Sequence, residues 1–181
     1  MVKNYRKNFK LYLGDLAKRK PSPGGGRAVC LIFCTGVSLI EKAMNYSLVI
    51  KPKNLQAREK NKKLKKSLSN LDKLRRKIYP YIDKDAYIFQ KIMDTKGKER
   101  RQLIKKSEKI ITDLAKASQL AFSLAKGVES GIKKSIISDF LIGLSFIESS
   151  LFGCILNLEA NSKIFAQKNK SIRALKKVLK K

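Results

Sequence analysis

The sequence predicts an all-α fold, a bundle of about five main helices. Three observations carry that expectation. Apolar residues recur at steps of three and four through the long segments, no segment shows the period-two alternation of a half-buried strand, and no hairpin dipeptide joins two apolar runs. With 43% hydrophobic residues in a chain of 181, there is enough apolar surface for one substantial core, which excludes a disordered tail protein. One domain is expected over residues 1–167, followed by a basic C-terminal tail from Lys168 to Lys181.

The elements follow in order. Phe9, Leu11, Leu13, Leu16 and Ala17 fit a short amphipathic helix that Pro21-Ser22-Pro23-Gly24-Gly25-Gly26 ends, two prolines stopping it and three glycines permitting a tight bend. The apolar run Ala28 to Ile40 then opens a helix reaching Ser47. At 13 residues the run is too short to span a bilayer, and being apolar on all sides it reads as the buried centre of the bundle. Lys51 to Lys66 holds eight basic residues against one acid, Glu59, and reads as a solvated connection. From there Leu64, Leu68, Leu71, Leu74 and Ile78 form one helical stripe, which Pro80 should kink or restart. Ile82, Ala86, Phe89 and Met93 continue it to Gly97. A further helix, near Glu99 to Lys126, is followed by Gly127 and Gly131. The last opens near Ser135 to Ser138, with Ser138 as a candidate cap, and runs towards Phe165.

Forty-two Lys and Arg against 14 Asp and Glu leave a net charge of +28, so an anionic partner is expected. The absence of His excludes a Ser-His-Asp triad, a Cys-His pair and a histidine acid, leaving proton transfer to carboxylates, Lys, Tyr or Cys. Cys30, Cys34 and Cys154 cannot all pair within one chain, and no secretory signal pattern precedes them; a reducing cytoplasm is the expected location. Cys30 and Cys34 share a helical face, but without His or a second cysteine pair they read as small core residues and no metal site is expected.

Several residues could carry chemistry. The glycine turn at Gly24, Gly25 and Gly26 leads into a helix whose first N–H groups are free to hold a phosphate or carboxylate, or the glycines simply allow a tight turn. Asp83 and Asp85 stand about 200° apart on a helix, so one should point inward; Asp85 lies at the edge of the apolar stripe. Asp139, flanked by Ile136, Ile137, Phe140, Leu141 and Ile142, is either a buried acid with a task or an acid favoured by a helix start. Asn157 and Asn161 stand one turn apart, able to read a heterocycle edge or to bridge helices.

Taken together, residues 10–165 resemble the cyclodeaminase/cyclohydrolase family of folate enzymes, which includes the formimidoyltetrahydrofolate cyclodeaminase domain and methenyltetrahydrofolate cyclohydrolases. The resemblance rests on Leu13-Gly14-Asp15-Leu16-Ala17, the Pro21 to Gly26 turn, Gly36, Asn45-Tyr46-Ser47, Asp83-Lys84-Asp85-Ala86-Tyr87-Ile88-Phe89, Ser138-Asp139, and Gly153 with Asn157 and Asn161. It implies a helical dimer that acts on the one-carbon unit bridging two folate nitrogens. Either a 5-formimino group loses ammonia on ring closure, or the 5,10-methenyl cation is hydrolysed to 10-formyltetrahydrofolate. Neither reaction needs a cofactor or a metal. The implied catalytic acids are Asp85 and Asp139 with Asp83 as substitute; the implied substrate contacts are Pro23, Gly24, Gly25, Gly26, Asn45, Ser47, Phe89, Ser138 and Asn157. A polyglutamylated folate would suit the basic surface. Arg27, Ser135, Phe140 and Leu141 depart from the family pattern. Two alternatives stand beside this reading: a family-fold protein with altered or lost activity, and a basic helical module binding nucleic acid non-specifically. No membrane partner is expected.

Overall fold

The computed structural model describes residues 9–20 and 22–165, with Ile172 and Leu175 beyond them. They form six α-helices: α1 Phe9–Leu16, α2 Gly25–Ser47, α3 Leu55–Ile78, α4 Tyr81–Asp94, α5 Gly97–Lys126 and α6 Ile137–Ile164. There is no strand among the described residues, so the all-α expectation holds, with five long helices and the short α1.

The basic segment is not a connection. Asn54 Oδ1 accepts from the Ala57 N–H at 2.9 Å, starting α3 at Leu55 and making most of the lysine-rich run helical. Its inward positions are Ala57 and Asn61, too small or polar to read as a stripe. Asn61 bonds both the N–H and the carbonyl of Val49, at 3.0 and 2.8 Å, and so ties the end of the preceding segment down. At Pro80 the chain passes from α3 to α4 with no loop, because Tyr79 and Pro80 keep helical dihedrals while the proline lacks a donor. Gly97 starts α5 with φ +60°, where a side chain would be strained. Ser138 does not cap α6: the helix begins at Ile137 after a 3₁₀ turn at Lys134–Ile136, with no side-chain cap.

The core is built around α2 and α6, which pack most extensively against each other and run antiparallel, Gly26 lying near Asn157, Gly36 near Gly143 and Lys42 near Asp139. Gly36 and Gly143 are their point of closest approach. A Cβ on Gly36 would stand 2.8 Å from the Gly143 carbonyl, and one on Gly143 would stand 2.7 Å from the Gly36 carbonyl. Since backbone cannot move aside, Gly143→Ala is expected to cost about 1–3 kcal/mol, read as a lower urea midpoint at unchanged slope. The helix holding the 13-residue run is itself 23 residues long. Both α2 and the Lys134–Ile164 segment are long and apolar enough to cross a membrane by length and composition, yet 44% of each window is buried within the bundle. Leu175 is 5% exposed and joins the core, with Ile172 packed against it; the remaining residues of the basic tail lie outside the described ones.

Candidate active site

Where α2 begins, a cavity of about 460 Å³ opens between its first turn, α4 and the C-terminal half of α6. Ser22 and Gly24 to Gly26 form one wall. Asp85, Ala86 and Phe89 of α4 form the second, and Gly153, Leu156, Asn157, Ala160, Asn161 and Ile164 of α6 the third, with Ser107 reaching in from α5. The lining is mainly apolar with few polar groups, the composition of a site that binds and orients a small molecule. Ala28 N–H is the first to bond back into the turn, at 3.2 Å to the Gly24 carbonyl, so the preceding donors of α2 lie at the glycine wall.

Asp85 rests directly against this turn. A Cβ on Gly26 would overlap the Asp85 carboxylate, with Cγ only 2.8 Å away, and would stand 3.2 Å from Asn157 Nδ2. Glycine at 26 is therefore a condition for the acid to reach the cavity. Burial raises the Asp85 carboxyl from its ordinary 3.8 to about 6, and the nearby Arg27 guanidinium pulls it back down. Such a carboxyl exchanges protons near neutrality. A cavity of equal volume lies at the other end of the bundle, lined by Asn54, Lys60, Lys63 and Gly131, and holds no buried carboxylate.

The sequence profile described as formiminotransferase-cyclodeaminase matches residues 8–180. The chain belongs to the formiminotransferase-cyclodeaminase family. The crystal structure of formiminotetrahydrofolate cyclodeaminase from Thermotoga maritima is similar in fold, with a TM-score of 0.79 and 19% identity, covering 96% of this chain and 86% of that one. No curated protein matches the chain.

This formiminotransferase-cyclodeaminase chain thus brings Gly24, Gly25, Gly26, Asp85, Phe89 and Asn157 together, as the sequence suggested, and adds Asn161, whose turn-spaced partnership with Asn157 was visible. Pro23 is buried beside the turn without lining the cavity. Asp83 is not in the cavity; it faces Arg27, Nη2 to Oδ1 3.7 Å.

Asp139 does not join Asp85 in this chain. It lies 18 residues before Asn157 on α6, about 27 Å along the axis, and pairs with Lys42 at 2.7 Å. Nor is it buried among its apolar neighbours, which point to other sides of the helix: its side chain is a quarter exposed. Ser138, Asn45 and Ser47 share that far end. Ser47 is occupied structurally, its hydroxyl donating to the Ala43 carbonyl at 2.7 Å and accepting from the Lys133 N–H at 3.0 Å. Of the departures, Phe140 fills the core, Leu141 faces outward and Ser135 is exposed, so none narrows the cavity. Ser107, isolated among charges, gave no signal in the sequence. Among the described residues no three of His, Cys, Asp or Glu stand together as a metal-ligand set.

Proposed function

We propose that the chain acts on a tetrahydrofolate carrying a one-carbon unit, closing the 5-formimino derivative to the 5,10-methenyl cation. The Asp85 carboxylate lying on the triple-glycine turn of a cyclodeaminase-family chain carries this reading. N10 attacks the carbon of the protonated formimino group, the N10 proton passes to the amine nitrogen, and the carbon–nitrogen bond to that amine breaks. Ammonia leaves with the bonding pair and the methenyl cation remains. A carboxyl with a pKa of about 6 can take the first proton and return it to the leaving nitrogen, and its charge steadies the cation. Phe89 and Leu156 offer apolar walls to the pterin, while the amides of Asn157 and Asn161 offer donors and acceptors to its edge. Hydrolysis of the methenyl compound uses the same proton movements with water as nucleophile, and is the alternative reaction.

The second acid is proposed to come from a second copy. The outward sides of α2 and α6 form one face that exposes Ile32, Tyr46, Leu141, Phe152 and Leu156. Leu156 also lines the cavity, so face and cavity are continuous. These two helices hold three of the chain's 42 basic residues, Arg27, Lys42 and Lys163. Subunits of charge +28 meet there with least repulsion. A two-fold axis across the face runs the two α6 helices antiparallel and carries the partner's Asp139 towards this cavity. The free, buried Cys30, Cys34 and Cys154 suit a reducing, cytoplasmic location.

The test incubates the protein with 5-formiminotetrahydrofolate, following gain of methenyl absorbance in the near ultraviolet, and separately with 5,10-methenyltetrahydrofolate, following its loss. Turnover in the first is expected; turnover in the second alone selects the hydrolase. Phe152→Glu is expected to give a folded monomer by light scattering with at least a tenfold loss of activity. A fully active monomer would reject the shared site.

A further inference from the structure

Arg27 is wholly buried, yet it stands one residue from the glycine on which the Asp85 carboxylate rests. Its Nε donates to the Ile82 carbonyl at 2.5 Å and its Nη2 lies 3.7 Å from Asp83 Oδ1. Both contacts fall on the first turn of α4, the helix that carries Asp85. Burying a guanidinium is costly unless its hydrogen bonds and its charge are both met. Here one residue accepts the Nε hydrogen bond and the next faces the charge, and both stand just before the acid in the cavity.

We propose that Arg27 is a positioning residue for Asp85. It pins the first turn of α4 to the start of α2, sets the carboxylate against Gly26, and supplies the cation that lets that carboxylate ionise inside an apolar cavity. The proposal rests on the reading of Asp85 as the proton carrier.

The groups around Asp85 leave few other charges to consider. Cys30 of α2 and Cys154 of α6 face it, and Tyr12 of α1 lies near Arg27. Burial raises all three above their ordinary values, so they stay neutral. Among the described residues Arg27 is the charge that acts on the Asp85 carboxyl, and Asp83 is the acid that faces Arg27.

Removing Arg27 alone would take from Asp83 a cation that it faces, so the working variant is Arg27→Met with Asp83→Asn, which removes both members of the pair. Arg27→Lys keeps the charge and loses the planar fork. Carbon-13 NMR follows the Asp85 carboxyl, assigned by its disappearance in Asp85→Asn. The midpoint is expected to rise by about one pH unit in the double variant, to stay within a few tenths in Arg27→Lys, and to fall in Asp83→Asn, where the guanidinium acts unopposed. At pH 6.5 the ionised form falls from about three-quarters to about one-quarter of the protein, so the double variant is expected to lose roughly threefold in kcat, with KM little changed. A double-variant midpoint at or below that of the unaltered protein would overturn the proposal. The titration needs no turnover: the expected shift in a protein inactive on both folates would reject the assigned reaction and leave the coupling of Arg27 to Asp85 standing.

Discussion

Asp85→Asn is expected to lower kcat/KM on 5-formiminotetrahydrofolate by about 10²–10⁴-fold while making the protein more stable at neutral pH. The activity loss follows from removing the carboxyl that reaches the cavity from α4. In the unaltered protein kcat/KM is expected to rise with pH through about 6 and level off, and in the variant the residual rate should lose that rise. The stability gain follows from linkage. Asp85 titrates at about 6 in the fold and near 3.8 when unfolded, so ionising it opposes folding; its favourable contribution is complete below pH 3.8 and lost as pH rises through 6. At 1.36 kcal/mol per pH unit the difference reaches about 3 kcal/mol above pH 7. Urea midpoints of variant and parent should therefore separate between pH 4 and pH 8. A constant separation, or a variant that grows weaker with pH, would contradict the burial of a charge at this position.

Gly26→Ala should be nearly as damaging, and Gly25→Ala should not. A methyl at 26 occupies the space of the Asp85 carboxylate, whose short side chain has little room to swing away, and it crowds Asn157. A methyl at 25 meets Asn157 Nδ2 at 3.8 Å, an ordinary contact. The expected result at 26 is a fall of at least 10²-fold in kcat/KM from displaced groups, with a stability loss of about 1–3 kcal/mol. At 25 the rate should stay within a few-fold. Steady-state kinetics on the pair, run side by side, separate a specific need for the bare α-carbon at 26 from a general intolerance of side chains in the turn.

Local signals in the sequence pointed to most of the cavity. The Pro-Ser-Pro-Gly-Gly-Gly break, the position of Asp85 beside the Ala86 and Phe89 stripe, and the turn spacing of Asn157 and Asn161 each depend on a few adjacent residues, and each landed at the same site. What failed was information held across the chain. Arg27 read as a departure because its partners, Ile82 and Asp83, lie 55 residues and more away in sequence. Asp139 read as a possible buried acid because α6 is apolar nearly all round, which hides the face each residue takes; only the packing of Gly143 on Gly36 sets that rotation. The start of α3 was missed for the opposite reason, since its inward residues Ala57 and Asn61 carry no apolar signal.

The sparing of α2 and α6 from lysine divides the molecule's response to ionic strength in two. Added salt shortens the reach of surface charge from about 10 Å at 0.1 M to about 3 Å at 1 M. Capture of the proposed polyanionic substrate would weaken under that screening, whereas the repulsion between two copies of a chain of charge +28 would be relieved by it. On the pairing and the substrate proposed above, the same counterions drive assembly and capture in opposite directions, and activity is expected to peak at an intermediate salt concentration.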